Sequence, residues 1–329
     1  MDEAPKITIF AYSDDKFEEK RIKKLEEALD YKDYRVVWIN IDGIGYLEEL
    51  KNTFRVHDVT VKAIKRIKSR ARLTILKDHL FILLHQVYEL KGGLKKERTA
   101  IFLKDNFVIT MQERSGDVFN SIRESIRHNE GLFRERDADY LLYALLDAII
   151  GNYVPILENI SSQMEILENK VLKDKDKETL RRIHGIRRRI LFARRTIFPL
   201  LEVFRRLRLE GREFFKEETQ GYLEELYNHV MEILDIIESQ RDMANGLVEI
   251  YYSTISMRIN EIIRILTVVS TIFIPLTFIT GIYGMNFNPR VSPYNMPELN
   301  WYYGYPLTLL AMLAIALGML YYFKRKEWL

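Results

Sequence analysis

Two stretches near the C-terminus carry no charge at all. Ile265 to Tyr283 (ILTVVSTIFIPLTFITGIY) and Tyr305 to Phe323 (YPLTLLAMLAIALGMLYYF) are each nineteen residues long. At a rise of ~1.5 Å per residue either run makes a helix about 28 Å long, close to the thickness of a bilayer core. A pair of buried core helices is the plainer alternative, but core helices rarely run so far without a charge. Aromatic residues gather at the ends, Tyr283, Phe287, Trp301, Tyr302 and Tyr303 on one side and Tyr321, Tyr322, Phe323 and Trp328 on the other. That is the distribution expected at membrane–water interfaces.

The flanking charges set an orientation. Arg258 and Arg264 precede the first run, Lys324, Arg325 and Lys326 follow the second, and the segment between holds only Arg290 and Glu298. Positive residues stay on the cytoplasmic side, so both termini are expected in the cytoplasm and the connecting loop outside. The first ten residues, MDEAPKITIF, are too polar for a secretory signal. The expectation is a multi-pass protein of the cell membrane, with a cytoplasmic body of about 260 residues carried on a two-helix hairpin.

Composition removes several function classes. Among 329 residues, 50 Lys and Arg stand against 47 Asp and Glu, and a net charge of +3 does not argue for nucleic acid as a partner. There is no cysteine, which excludes disulfides, thiolate zinc sites and a cysteine nucleophile. No Gly-rich phosphate loop of the P-loop type is visible.

The expected fold class is an α+β membrane protein. Residues 1–137 alternate between strand-like and helix-like stretches and read as an α/β domain with a mixed sheet. Lys6–Tyr12, Arg35–Ile41, Arg72–Leu76, Leu80–Tyr88, Arg98–Leu103 and Phe107–Met111 are the strand candidates, and Lys16–Leu29 reads as a charged helix. Gly92-Gly93 and Lys104-Asp105-Asn106 supply turns. Residues 138–264 are long helices: Ala138 to about Leu172 with Pro155 as a kink, a charged break at Lys173–Lys177, and Glu178 to Glu210 with Pro199 inside it. A last run starts near Glu217 and meets no proline before Pro275. Continuous to Tyr283, it is about 100 Å of helix and carries the chain into the membrane. Residues 265–283 are then the first span, 284–304 the outer loop, 305–323 the second span and 324–329 a basic tail.

The long helices differ in charge. Thr179 to Arg212 holds eleven Arg and two Glu, whereas Glu217 to Glu249 holds nine acids and one Arg. Antiparallel pairing across the two faces is the plain reading. A sharper one has the acids handling cations.

Spacing singles out one face of the last run. Glu249, Ser253, Ser256, Asn260, Ile263, Thr267, Ser270, Ile274, Thr277, Gly281 and Gly284 follow steps of three and four and share a side. A polar stripe on a spanning helix must face protein or water rather than lipid. Packing through small residues would satisfy that. So would a water-filled path, but two spans per chain cannot enclose one, and a ring of copies is then required. Within the membrane the stripe has no carboxylate. Mg2+ gives up its water reluctantly, and neutral oxygens can hold the hydrated ion without trapping it. Ile263 with Leu266 beside it would form an apolar constriction able to gate by dewetting.

Tyr283-Gly284-Met285-Asn286-Phe287 (YGMNF) ends this helix, with Ile274-Pro275-Leu276-Thr277 before it and Met296-Pro297-Glu298-Leu299 after it. With the basic C-terminus ending Trp328-Leu329, this resembles the CorA family of magnesium channels. The resemblance is specific from about Asn260 to Leu329 and consistent in element order before that. It implies a pentameric funnel of long cytoplasmic helices below an N-terminal αβα domain, with the first span lining the pore. Gly284, Met285 and Asn286 would be the outer selectivity ring, Asn286 offering its amide oxygen to the ion's water shell. Asn260, Thr277 and Gly281 match the family's pore-lining positions and Leu266 its hydrophobic gate, and the stripe itself adds Ile263, Thr267, Ser270 and Ile274 to the expected pore lining. The resemblance also implies an inhibitory divalent site between adjacent subunits, formed by Asp78 and Glu225. The segment Asn288 to Asn295 is longer than usual in the family and has Arg290 where an acid often follows the motif.

The implied function is passive Mg2+ influx gated by intracellular Mg2+, with no cofactor, no enzymatic activity and no nucleic acid. Mg2+ is both cargo and regulator, and Co2+ and Ni2+ are possible further cargo. A Zn2+, Co2+ or Ni2+ transporter of the same superfamily is the near alternative. A membrane-tethered enzyme using His57-Asp58, Asp78-His79 and His85 as a metal site, and a non-conducting sensor or scaffold, are the alternatives from other classes.

Overall fold

The computed structural model describes residues 6–65, 69–90, 93–114, 116–173 and 177–328. They form two compact units, Met1–Val248 and Glu249–Leu329, divided within one helix. The elements run β1 (Lys6–Tyr12), β2 (Phe17–Ile22), β3 (Val36–Asp42), α1 (Leu47–Phe54), α2 (Asp58–Lys65), β4 (Arg72–Ile75), β5 (Leu80–Leu90), β6 (Gly93–Lys104) and β7 (Phe107–Gln112). Then come α3 (Asn120–His128), α4 (Ala138–Gly151), α5 (Val154–Lys173), α6 (Lys177–Glu210), α7 (Glu217–Tyr283) and α8 (Gly304–Arg325).

In the first unit the strands make one sheet in the order β2-β1-β3-β7-β6-β5-β4. Neighbours are antiparallel except β3 and β7, which run parallel from Val37 beside Phe107 to Asp42 beside Gln112. The mixed sheet expected from the sequence is present. Strand alternation gives each face its own core. Ile7, Ile9, Val37, Ile39, Ile41 and Ile109 pack against Leu47 and Leu50 of α1 and Val61 and Ile64 of α2. On the other face Phe10 stacks on Trp38 at 4.9 Å, and Phe119, just before α3, meets Trp38 edge-on at 5.9 Å. Burial of such aromatic clusters is the largest single contribution a side chain makes to a core.

Several expectations are corrected. Lys16–Leu29 is not a helix: Phe17–Ile22 is a strand paired with β1, and Leu25–Tyr31 is a 3-10 turn. Glu and Lys favour helix on their own, but the free edge of β1 captures the segment, and charges on an edge strand discourage pairing with other chains. The run from Ala138 breaks at Asn152-Tyr153 rather than kinking at Pro155. Asn152 Nδ2 donates to the Val87 carbonyl at 2.7 Å and the Tyr153 hydroxyl donates to the His85 carbonyl, so the break is tied to β5. Pro155 sits in the first turn of α5, where its missing N–H leaves no bond unmade. α1, α2 and α3 are too short to have registered as periodic patterns. Gly92, residues 174–176 of the charged break and Leu329 lie outside the described residues.

The basic and acidic helices do pair. Arg194 of α6 meets Glu238 of α7 at 2.5 Å, and Arg208 meets Glu224 at 2.5 Å, so rising numbers on one helix meet falling numbers on the other. These pairs are part-exposed and worth about 0–1 kcal/mol each, which fixes register more than stability. Ile190, Ile197 and Phe204 of α6 and Leu226, Ile233 and Ile237 of α7 are all buried, and that apolar burial outweighs the ion pairs.

Among the described residues three stretches are long and apolar enough to cross a membrane: Ala138–Val171, Glu217–Tyr283 and Gly304–Arg325. Burial separates them. The most apolar window of the first is 44% buried, and Leu141, Leu142, Leu145 and Leu146 are core residues of the first unit. The windows of the other two are 6% buried each. Apolar surface left bare on that scale belongs in lipid or against other copies.

Candidate ion pathway

Within the second unit, α7 packs on α8 through one side only. A cavity of about 430 Å3 is lined by Ile279, Thr280 and Tyr283 from α7 and by Tyr305, Thr308 and Met312 from α8. At ~100° per residue, the stripe through Asn260, Thr267, Ile274 and Gly281 lies on the opposite side of the helix. Asn260, Ile263, Leu266, Thr267, Ile274, Thr277 and Gly281 are exposed and Ser270 is half-buried. The structure therefore keeps the stripe from Asn260 to Gly281 on one face, away from α8, whereas Gly284 at its outer end lines the cavity beside α8. Leu266 sits at its flank, one residue before Thr267.

The hydroxyls on α7 are turned into acceptors. Thr267 Oγ1 donates to the Ile263 carbonyl at 2.8 Å, and Thr271 Oγ1 donates to the Thr267 carbonyl at 2.7 Å. A hydroxyl whose proton is committed inside the helix presents its lone pairs outward. Water bound to a divalent cation points its hydrogens away from the ion, so a row of acceptors is what a hydrated cation meets favourably. Pro275 leaves the Thr271 carbonyl four residues back without an N–H donor in the helix.

The YGMNF segment begins where α7 ends. Gly284 N donates to the Thr280 carbonyl at 2.9 Å and Met285 N to Ile282 at 3.1 Å, after which Asn286 and Phe287 are free of helix. A Cβ on Gly284 would lie 3.2 Å from the Thr280 carbonyl, so the tight exit favours glycine. Gly284, Met285 and Asn286 are all exposed.

The loop behind this segment is fastened at two places that the sequence did not reveal. Tyr283 donates its hydroxyl to Glu298 Oε1 at 3.3 Å, and a 3-10 turn at Pro297–Asn300 leads into α8. Gly304 lies against that turn: a Cβ there would stand 2.4 Å from the Glu298 carbonyl. Gly304→Ala should therefore shift the turn and loosen the Tyr283–Glu298 contact. The expected result is Mg2+ uptake reduced at least about tenfold with the protein still folded, read by uptake and circular dichroism together. Unchanged uptake would remove the turn from the pathway. The extra segment Asn288–Asn295 closes on itself: Asn288 Oδ1 accepts from Arg290 N at 2.9 Å, and Asn295 Nδ2 donates to the Asn288 carbonyl at 3.0 Å. It leaves Val291 and Tyr294 exposed.

Asp78 and Glu225 are both exposed, and no contact joins them within one chain. Asp78 is engaged: Lys104 Nζ lies 2.8 Å from Oδ2 and His79 Nδ1 2.8 Å from Oδ1. The Lys104 ammonium first, then His79, holds its carboxyl down at about 2. Lys104 is 26 residues away in sequence, and no local pattern would have found it. Asp105, Asp137 and Asp139 line the same cavity of about 350 Å3. Glu225, on α7, has no ion pair among the described residues. The metal site imagined for an enzyme does not assemble. His79 and His85 are buried, burial pushes His85 down to about 4, and His57 is exposed with its Nδ1 on Val59 N. Among the described residues no three His, Asp or Glu side chains cluster as metal ligands.

Comparison with known proteins gives a consistent result. The family model described as "CorA-like Mg2+ transporter protein" matches residues 34–325. The cobalt/magnesium transport protein CorA of Thermotoga maritima is 38% identical, over 98% of this chain and 92% of that relative. The solved CorA magnesium transporter of Methanocaldococcus jannaschii superposes with a TM-score of 0.83 at 24% identity, covering 98% of each chain. The cytoplasmic domain of ZntB from Vibrio parahaemolyticus superposes with a TM-score of 0.63 at 14% identity, over 77% of this chain and 98% of that one, a likeness of fold alone.

Proposed function

We propose, for a chain that belongs to the CorA-like Mg2+ transporter family, that copies of it ring a water-filled axis and let Mg2+ pass inward down its electrochemical gradient. Members of this family are membrane-embedded ion transporters rather than enzymes. The observation that carries the reading is the exposed face of α7. The part of α7 that must stand in lipid turns Asn260, Thr267, Thr277 and Gly281 away from α8, with Ser270 half-buried beside them. Those polar groups need water or protein opposite them. A ring supplies both, and five copies is the number we infer from the family.

The mechanism follows from the donor set. At the outer end Gly284, Met285 and Asn286 make a collar in which the Asn286 amide oxygen accepts hydrogen bonds from the ion's water. The hydrated ion then passes the threonine and serine acceptors of the stripe, and no carboxylate is present in the span to trap it. Ile263 and Leu266 narrow the axis with apolar side chains, where a dry constriction stops the ion and a wetted one passes it. An ion of charge +2 gains about 4.6 kcal/mol per ~100 mV on entering a negative interior, so uptake needs no ATP. Both termini lie in the cytoplasm of a cell-membrane protein, with Arg258, Arg264, Lys324, Arg325 and Lys326 at the inner surface.

Regulation rests on Asp78 and Glu225 of neighbouring copies. Internal Mg2+ bridges them and holds the ring closed, and loss of the ion releases the copies to move. The name of the Thermotoga maritima relative includes cobalt, and Co2+ is the further cargo we assign first, with Ni2+ after it. The test is uptake into proteoliposomes containing the purified chain and an internal Mg2+ dye. A voltage-driven, saturable rise without ATP is expected. No rise above protein-free vesicles, from protein shown to be folded, would leave a scaffold or sensor instead.

A further inference from the structure

The first unit holds a cavity of about 840 Å3 where the β5–β6 hairpin meets α5 and α6. That lies within the ~300–1,000 Å3 of sites for small organic molecules, and none of its residues belongs to the ion pathway or to the proposed regulatory pair. One part of the wall is apolar: Leu90 and Leu94 of the hairpin, Ile166 and Leu167 of α5, Ile186 and Phe192 of α6. Ile166 is 65% exposed and Leu90 49%, so apolar surface is left bare there. The other part is basic. On α6, steps of three and four from Arg182 through Gly185 and Arg189 to Phe192 put charge and ring on one face, with Arg188 beside them.

Among the described residues three arginines and one glutamate line the cavity. The glutamate is fully engaged. Glu89 Oε1 accepts from Arg189 Nη2 at 2.8 Å, and its Oε2 accepts from Asn159 Nδ2 at 2.7 Å. Arg189 Nη1 donates to Gln163 Oε1 at 2.7 Å, while its buried Nε has no acceptor. Arg182 pairs with Glu178 at 3.4 Å, but Arg181 draws on the same carboxylate at 4.0 Å. Arg188 is exposed and makes no hydrogen bond or ion pair among the described residues. Arg181, Arg182 and Arg188 thus have one acid between them, a surplus of two positive charges at the rim.

An inorganic anion would answer the arginines and leave the apolar wall wet, and a neutral apolar molecule would do the reverse. A phosphate monoester carries close to two negative charges near neutral pH, where a carboxylate carries one. Guanidinium forks match phosphate oxygens, and aromatic rings take flat or apolar bodies on their faces. We propose that the cavity binds an organic phosphate of about nucleotide size, its phosphate on Arg182 and Arg188 and its body against Phe192, Leu90 and Ile166. Gly185 keeps the space open. It stands inside α6, where glycine is a poor choice for a helix, and a Cβ there would meet nothing within 4 Å.

The test is calorimetric and thermal-shift titration of the full-length protein in detergent, at fixed free Mg2+ so that chelation by a phosphate cannot move the protein. The probes are AMP, ADP and ATP for a nucleotide and hexyl phosphate for a lipid-like phosphate, with inorganic phosphate and adenosine as the two halves alone. At least one probe should bind saturably with a Kd below about 1 mM, and at least about tenfold tighter than either half. The probe that binds tightest names the source of the phosphate. Arg182→Gln and Arg188→Gln should each weaken it at least about tenfold. Gly185→Leu fills the open space without touching a charge. It should abolish binding while keeping or raising the melting temperature, because leucine favours helix over glycine. No binding by any probe, inorganic phosphate binding as tightly as the organic ones, or full binding by folded Gly185→Leu protein would overturn the proposal. Binding is read without flux, so a chain that failed to conduct would leave the proposal standing.

Discussion

Asn286→Ala should abolish Mg2+ uptake and leave assembly untouched. Asn286 follows the last turn of α7, its backbone placed by the helix exit at Gly284 and Met285. Its side chain has no hydrogen-bond partner among the described residues, so truncation removes nothing that holds the fold. What it removes is the amide oxygen that the proposed filter offers to the ion's water shell. A hydrogen bond to a charged group is worth roughly 1.5–3 kcal/mol, and in a ring the loss repeats in every copy. Even one such loss slows passage about tenfold to a hundredfold. Size-exclusion profiles should be unchanged while dye-reported uptake falls to the level of empty vesicles. Normal flux through the variant would remove Asn286 from the filter.

The second large effect is on control rather than conduction. Asp78→Lys combined with Glu225→Lys should give a protein that keeps conducting at millimolar internal Mg2+, where the proposed regulation closes the unmodified protein. Asp78 already serves Lys104 and His79, so a divalent ion must compete with an ammonium for it. That competition suits a weak site reading an abundant ion. Because its carboxyl is held at about 2, the group is ionised throughout the physiological range. Its contribution to stability is present above the unfolded value near ~3.9 and is lost only as pH falls toward about 2. Inhibition of the unmodified protein should therefore not change between about pH 5 and 8 on account of Asp78. Both residues are exposed, so the double substitution should alter stability by no more than about 1 kcal/mol. Flux still fully inhibited by internal Mg2+ in the double variant would exclude this pair as the regulatory site.

Much of the fold was legible because it rests on long signals. The two uncharged runs, the long helix ending at Tyr283 and the paired charges of α6 and α7 each extend over several turns, and local sequence decides them. The stripe was legible for the same reason, since a helical face repeats every three or four residues. What escaped depended on distant partners. Phe17–Ile22 looks helical until β1 offers it an edge, and the break at Asn152-Tyr153 exists because β5 presents the Val87 and His85 carbonyls. Lys104 beside Asp78 and Glu298 beside Tyr283 are likewise contacts across sequence distance.

The most direct measurement uses the absence of cysteine from the chain. Asn260→Cys, Thr267→Cys, Thr277→Cys and Gly281→Cys, made singly, place a thiol along the exposed stripe, and Ile279→Cys and Thr280→Cys place one on the side facing α8. Each variant is reconstituted in liposomes and treated with a charged, membrane-impermeant thiol reagent. If the stripe borders a shared aqueous axis, its four positions react and Mg2+ flux is blocked as they do, while positions 279 and 280 stay silent. Labelling of positions 279 and 280 with a silent stripe, or a stripe quenched by brominated lipid tails, would contradict it.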